Sequence, residues 1–206
     1  SPSEVERGYA DYAIDEYRFY VNDNYLEDKN LKKPYSLQNS DKTINWEFAP
    51  KGADNEYQKQ LHRHNWMPLQ GKTYQDSHDE KYIGRHSAIY MHADEGAQPA
   101  IDVLDGIYSN DWIAKHPLPE GSPDKFKWYQ LQVSTRIMGQ TESFEYFKSS
   151  PNFTPEWLSF FLVHFAEHAD YLSKYKYAGE NNILLSQAVA LVFAGTLFPE
   201  LKNASQ

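Results

Sequence analysis

The chain has 206 residues, a formal charge of −9 and no cysteine. Its length suits one large domain or part of a larger protein, and the lack of cysteine excludes disulfides and thiolate metal sites. The acidic balance argues against nucleic-acid binding, which depends on dense lysine and arginine, and no apolar run reaches the about 18 residues that a membrane span needs.

The N-terminal part of the chain predicts one amphipathic helix and then a loop. Between Glu4 and Tyr20, apolar residues recur every three or four positions, as on one face of a helix. The polar, lysine-rich residues 22–43 predict a loop or extended segment, and no convincing strand pair is expected. Asp54 is a good N-cap for a second helix, and Pro68 predicts a kink or a break in it.

The centre of the chain carries weaker signals. Residues 76–82 predict a turn and the start of a helix, and Gly96 and Pro99 are expected to divide the segment that follows. Residues 116–125, rich in proline and glycine, predict a loop. A helix is expected again from about Trp128 to Phe147, because apolar residues there recur at helical spacing.

The C-terminal part predicts two consecutive helices. Thr154 as N-cap and Pro155 as the first helical residue begin a helix that is expected to run to about Tyr175, with Gly179 as its terminator. The last helix is predicted from about Asn182 to Phe198. Because it is apolar on every side, we expect it to be buried all round.

The succession of helices predicts an all-α fold, an incomplete (α/α) toroid of helical hairpins in which outer helices surround inner ones. A layered α-solenoid is the alternative, and the toroid is favoured because no repeat of fixed period is visible. Aromatic residues form 16% of the chain, which favours a groove that stacks against sugar or base rings.

Two adjacent asparagines, Asn181 and Asn182, precede the apolar run of the last helix. An N-cap explains one of them, because its side-chain oxygen accepts a hydrogen bond from an unpaired backbone N–H. The second would lie in the first turn, at the positive end of the helix dipole, where its amide suits a carboxylate. The residues alone leave capping and anion binding open.

Arg136 and Gln140 are four residues apart and therefore share one helix face. That face is either solvated, with Arg136 paired to an acid, or the wall of a groove where the guanidinium binds carboxylate or sulfate.

Histidines are grouped in two places, and neither group predicts a metal site. His62 and His64 are two residues apart, which on a helix directs their side chains away from each other. His164 and His168 are four apart but lack a third ligand, so we expect packing and surface roles.

Several segments, in this order, resemble the N-terminal helical domain of the heparinase II/III superfamily, and within it the heparan sulfate lyases of the heparinase III type. The resemblance runs from about Trp46 onward, and the FPEL ending and the asparagine before it are its most specific parts. The segments are NEYQKQLHRHNW, GKTYQDSHDEKY, KWYQLQVSTRIMGQTESFEYF, FTPEWLSFFLVHFAEHADYLSKY and ENNILLSQAVALVFAGTLFPEL.

The resemblance implies that residues 1–206 form part of an α/α toroid, which in the complete protein packs against a C-terminal β-sandwich domain absent from this chain. It also implies β-elimination at a uronic acid residue of an acidic polysaccharide. Asn182 matches the family asparagine that contacts the uronate carboxylate. The implied groove residues are Arg63, His64, Arg136 and Gln140.

The chain departs from the family at Ile183, where a histidine is usual. The tyrosine acid/base of the family and its further catalytic histidine lie beyond residue 206, so we expect this chain alone to be inactive or nearly so. Calcium or zinc in relatives lies outside the helical part, and no cofactor or metal site is expected here. The family usually works in the bacterial periplasm.

Three alternatives to a heparan sulfate lyase remain open. An alginate lyase would share the toroid and the asparagine. A non-catalytic helical module would bind or assemble on glycans without turnover. An α/α glycoside hydrolase would need two carboxylates across a groove, and no such pair stands out in the sequence.

Overall fold

The computed structural model describes residues 1–83, 112–121 and 124–202, so Gly96 and Pro99 lie outside the described residues. Short strands β1 (Leu26–Asp28) and β2 (Lys33–Pro34) accompany the helices. Within the described residues the helices are α1 (Glu4–Glu16), α2 (Asn55–Leu61), α3 (Met67–Ser77), α4 (Trp112–Lys115), α5 (Gln130–Phe147), α6 (Pro155–Lys174) and α7 (Asn182–Leu197). The predicted all-α class is confirmed, and none of these helices combines the length and apolarity needed to cross a membrane.

Helix α1 is bounded by two capping residues. The Ser3 hydroxyl accepts a hydrogen bond from the Glu6 N–H at 3.2 Å, and the Glu6 carboxylate accepts one from the Ser3 N–H at 2.8 Å, which is a capping box. The helix ends at Glu16, before the predicted Tyr20, because Tyr17 adopts the left-handed conformation with φ 50°.

The segment predicted as a loop contains an antiparallel strand pair, β1 with β2, so the expectation of no strand pair is wrong. The Arg18 guanidinium donates to the Pro34 carbonyl at 2.8 Å and pairs with Glu16 and Glu27, each at 2.5 Å. These tertiary contacts stabilise the strand pair. The strands have only three and two residues, so they are too short to produce an alternating sequence pattern.

Capping signals correctly located the next helices. Asp54 accepts a hydrogen bond from the Glu56 N–H at 3.1 Å and caps α2. The predicted break near Pro68 is confirmed, because α2 ends at Leu61 and Pro68 lies in the first turn of α3. The next helical residues after α3 start at Lys81, as predicted for residues 76–82.

The C-terminal helices pack around α5, which contacts α3, α6 and α7. Helix α6 begins as predicted, with the Thr154 hydroxyl accepting from the Trp157 N–H at 3.2 Å and Pro155 as the first residue. Helices α3 and α5 approach each other closely at Gly71, where a Cβ atom would lie 2.7 Å from Cδ2 of Tyr146. Glycine is therefore required by the spacing of this helix pair.

Helix α7 has the predicted bounds, but the prediction that it is buried all round is wrong. Gln187, Ala190 and Ala194 face the core. The opposite side exposes an apolar stripe, because the described residues cover only one face of the helix. Its members and their exposed fractions are Leu185 66%, Val189 37%, Val192 65%, Phe193 42% and Leu197 39%.

Candidate functional site

Asn181 and Asn182 have separate places at the start of α7. The Asn181 oxygen accepts a hydrogen bond from the Ile183 N–H at 2.9 Å, so Asn181 is the N-cap. Asn182 is the first helical residue and is exposed. Within the described part of the chain its side-chain amide has no hydrogen-bond partner, so that capping explains Asn181 but not Asn182.

The start of α7 is electrostatically suited to an anion. The helix extends over 16 residues, and its aligned peptide dipoles place a partial positive charge of about half an elementary charge at the N-terminus. The Asn182 amide adds two further N–H donors at that end. A carboxylate approaching α7 along its axis would therefore meet donors and a favourable potential.

Arg136 lies in the interior and is 0% exposed. Its Nε donates to Nε2 of His168 at 3.1 Å, and one terminal nitrogen donates to the carbonyls of His62 at 2.7 Å and Lys127 at 2.6 Å. The guanidinium carbon lies 4.5 Å and 5.4 Å from the ring centres of Trp112 and Trp128. In the described structure Arg136 thus lies on neither a solvated face nor an open groove wall.

The histidines around Arg136 are held as neutral tautomers. Nδ1 of His62 accepts from the Trp112 indole N–H at 3.0 Å, so its proton is on Nε2, which donates to the Gln58 oxygen at 3.1 Å. Nδ1 of His168 donates to the His164 carbonyl at 2.6 Å. Burial, reinforced by the charge of Arg136, holds the pKa of His62 and of His168 well below the ordinary value.

The other predicted groove residues differ in accessibility. Gln140 and His64 are each 1% exposed, and the His64 ring lies edge-on to Trp112 with 4.7 Å between centroids. Arg63 is half-buried and pairs with Glu56 at 3.1 Å. No contact between described residues joins any of these side chains or Arg136 to Asn182, so their contact with substrate stays a prediction.

Cavities of different size lie next to the helices of the described residues. The larger, of about 740 Å³, lies between α3, α5 and α7 and is lined in part by Lys72, Glu142, Glu145, Phe193 and Leu197. The smaller, of about 100 Å³, is lined in part by Trp112, His116, Trp128, His164 and His168. Neither is lined by any of the five predicted site residues, and the larger one is not basic.

The whole chain matches one known protein family. Residues 1–206 match the family described as Heparinase II/III N-terminus. The chain belongs to this family. The resemblance inferred from about Trp46 onward is therefore confirmed, and the family match also includes the residues before it.

Curated heparinase II/III relatives are much longer than this chain. A heparin-sulfate lyase of Bacteroides thetaiotaomicron is 51% identical over 204 residues, which are 99% of this chain and 26% of that lyase. A heparin-sulfate lyase of Pedobacter heparinus is 35% identical over 173 residues, covering 84% of this chain and 23% of that lyase. The chain thus spans about a quarter of the length of these relatives.

Solved structures of the heparinase II/III family share the fold. A crystal structure of heparinase III superposes with a TM-score of 0.85 at 51% identity, covering 99% of this chain and 28% of that one. A heparan sulfate lyase of Pedobacter heparinus superposes with a TM-score of 0.76 at 32% identity, covering 99% and 27%. The predicted fold is confirmed by this likeness.

One residue near Asn182 was not among the predicted site residues. Gln187 is buried in α7 and hydrogen-bonds the segment before the helix. Its sequence signal was available, because Gln187 is the only long polar side chain in α7 after Asn182. A lone amide in an apolar helix indicates a specific buried partner.

Proposed function

We propose that this chain is the N-terminal helical part of a polysaccharide lyase that cleaves uronic-acid-containing glycans of the heparan sulfate type by β-elimination. The relatives named as heparin-sulfate lyases support this assignment. The observation that carries the role of Asn182 is its exposed amide at the start of α7, which has no hydrogen-bond partner among the described residues.

The difficulty of the reaction lies in the acidity of the C5 proton. A base removes that proton, the electron pair forms the C4–C5 double bond, and the C4–O bond breaks as the leaving oxygen is protonated. Negative charge grows on the uronate carboxylate as the proton leaves. Hydrogen bonds from the Asn182 amide and the positive end of α7 stabilise that charge.

The base and acid of this reaction come from the rest of the protein, as the family resemblance implies. None of the described residues is assigned to either role. The β-sandwich domain expected beyond this chain and a periplasmic location belong to the same proposal. The greater length of the relatives, of which this chain spans 26% in the Bacteroides lyase, supports a larger complete protein.

The test is Asn182→Ala in the complete protein, followed through the ultraviolet absorbance of the unsaturated product. Removing a donor that stabilises developing charge lowers kcat by about 100- to 1,000-fold. Asn55→Ala is a matched control, because Asn55 is also an exposed first helical residue that follows a capping residue, Asp54. The control is expected to keep its activity.

A panel of heparan sulfate, heparin and alginate as substrates separates the alternatives. Turnover of alginate alone would point to an alginate lyase, and binding without an absorbance change would point to a non-catalytic module. Full turnover by a folded Asn182→Ala protein would contradict the role of Asn182.

A further inference from the structure

The connection between α6 and α7, residues 175–181, is held by a buried side chain that follows it. Gln187 is 3% exposed. Its oxygen accepts a hydrogen bond from the Tyr177 N–H at 2.9 Å, and its nitrogen donates to the carbonyls of Leu172 at 2.5 Å and Tyr175 at 3.2 Å. One amide therefore joins the last turn of α6 to the connection and to α7.

A second glutamine also hydrogen-bonds the Tyr175 carbonyl. The nitrogen of Gln130, at the start of α5, donates to the Tyr175 carbonyl at 3.1 Å. The carbonyls of a last helical turn have no partner within their own helix. Here Gln187 supplies a partner for the Leu172 carbonyl, and Gln130 and Gln187 together supply partners for the Tyr175 carbonyl at the end of α6.

The far end of the connection is equally constrained. The Tyr177 hydroxyl accepts a hydrogen bond from the Asn181 amide at 3.3 Å. Gly179 lies against the Tyr177 ring, so that a Cβ atom there would come within 2.7 Å of Cε1. Tyr177 is thus held at three points. Its hydroxyl is hydrogen-bonded to Asn181, its ring packs against Gly179, and its backbone N–H is hydrogen-bonded to Gln187.

We propose that Gln187 is a positioning residue for Asn182: through Tyr177 and Asn181 it fixes the connection that leads directly into Asn182, the first residue of α7. This inference rests on the proposed function. A displaced amide would still bind substrate through other contacts but would stabilise the developing charge poorly. The structural signature is a buried amide whose three hydrogen bonds all end on residues 172–177.

The test is Gln187→Leu in the complete protein, with kcat, KM and the free energy of unfolding measured together. The expected result is a kcat lowered about 10- to 100-fold, as for a misplaced catalytic group, with KM changed less than about threefold. Gln132→Leu is the matched control, because Gln132 is another buried glutamine of the helical core whose nitrogen donates to a loop carbonyl, that of Lys125, at 3.1 Å. This control is expected to keep kcat.

A double mutant separates positioning from general destabilisation. If Gln187 acts through Asn182, then Gln187→Leu lowers kcat no further in an Asn182→Ala background. The inference would be overturned if the kcat losses of the two single mutants multiply in the double mutant. It would also be overturned if kcat is unchanged in Gln187→Leu, or if Gln132→Leu lowers kcat equally. Full activity of Asn182→Ala would instead contradict the role of Asn182 in the proposed function, and this inference with it.

Gly179→Ala keeps the inference testable if Gln187→Leu does not fold. This substitution acts on the Tyr177 ring, where a Cβ atom would come within 2.7 Å of Cε1, and leaves the Gln187 amide unchanged. A lowered kcat with unchanged stability is the expected result, and an unchanged kcat would count against the inference.

Discussion

At the scale of single residues, Arg136 shows how burial changes the meaning of a charged side chain. Sequence spacing allowed a solvated face or a groove wall, and the structure places the guanidinium beside two tryptophans, bonded to two carbonyls and an imidazole. A planar fork can donate in several directions while its faces stack on rings. The geometry therefore favours a role in the core.

Arg136→Lys tests that role. A lysine retains the charge but cannot reach His168 and both carbonyls while stacking, so we expect the free energy of unfolding to fall by about 2–5 kcal/mol. Arg7→Lys is the control, because the Arg7 side chain is 43% exposed and should change stability by less than about 0.5 kcal/mol. Unfolding in urea followed by tryptophan fluorescence measures both. A stable Arg136→Lys protein with a raised KM for the glycan would instead support substrate contact.

The buried histidines predict a pH dependence of stability. The pKa values of His62, His64 and His168 lie well below the ordinary 6.5 in the folded chain, mainly because burial disfavours the charged form. Unfolded histidines bind protons below about pH 6.5 while the folded ones do not. Stability is therefore highest above that pH and falls as the pH decreases towards 5.

Urea midpoints at several pH values between 7.5 and 5 measure this dependence. His168→Gln should reduce its slope, because one proton-binding site of the unfolded chain is removed. His78→Asn, at an exposed residue in the left-handed conformation with φ 53°, controls for the loss of a histidine elsewhere. An equal slope in His168→Gln and in the unsubstituted chain would contradict this account.

At the scale of helices, the spacing between α3 and α5 depends on the absence of a side chain at Gly71. A Cβ atom at Gly71 would lie 2.7 Å from Cδ2 of Tyr146 and 3.0 Å from the Cβ atom of that tyrosine. Atoms in native structures do not approach so closely, so a larger residue must separate the helices or displace the ring. Since α5 also packs against α6 and α7, a shift of α5 would disturb the packing of those helices.

Gly71→Ala is expected to lower the free energy of unfolding by about 1–3 kcal/mol, the usual result of overpacking. Gly8→Ala is its matched control, because Gly8 is also helical and nothing lies within 4 Å of a Cβ atom there. The control should raise stability by about 0.5–1 kcal/mol, since alanine favours a helix. Thermal or urea unfolding distinguishes the two, and equal effects would show that the close approach is not restrictive.

Helix boundaries were predictable wherever a capping residue carried the signal. Asp54 and Thr154 placed the starts of α2 and α6, and Pro68 placed the break before α3. The end of α1 was missed because Tyr17 takes a left-handed conformation that its residue type does not favour. Local rules identify the ends of helices but not conformations imposed by distant contacts.

The candidate site was predictable only in part for a similar reason. The adjacent asparagines indicated one cap and one residue in the first turn, and the structure shows Asn181 as the cap and Asn182 as an exposed first helical residue. The burial of Arg136 and His64 depends on tryptophans distant in sequence, which no local pattern connects to them. The role of Gln187 was missed because its partners lie on the preceding helix and connection.

At the scale of the whole molecule, the described residues leave one side of α7 uncovered. The apolar stripe of α7 from Leu185 to Leu197 borders the larger cavity, which Phe193 and Leu197 line. Contiguous exposed apolar surface marks an interaction surface. The curated relatives are about four times as long as the matched segment, and we propose that their additional length includes what covers this stripe.

The 206 residues alone are therefore expected to self-associate. Leu185→Glu combined with Val192→Glu places charges at two residues that are 66% and 65% exposed and should shift the protein towards monomer. Leu31→Glu is the control, because Leu31 is 65% exposed outside the stripe and should leave association unchanged. Light scattering over a range of concentrations measures the effect, and a monomeric unsubstituted chain would contradict the expectation.

The open stripe also has a consequence for biosynthesis. Ribosomes add about 5–20 residues per second, so in a protein as long as the Bacteroides lyase, α7 leaves the exit tunnel tens of seconds before translation ends. During that interval the described residues leave the leucines, valines and phenylalanine of the stripe exposed to solvent. A holding chaperone that binds nascent apolar helices would protect this stage, and premature termination after α7 would release a product prone to aggregation.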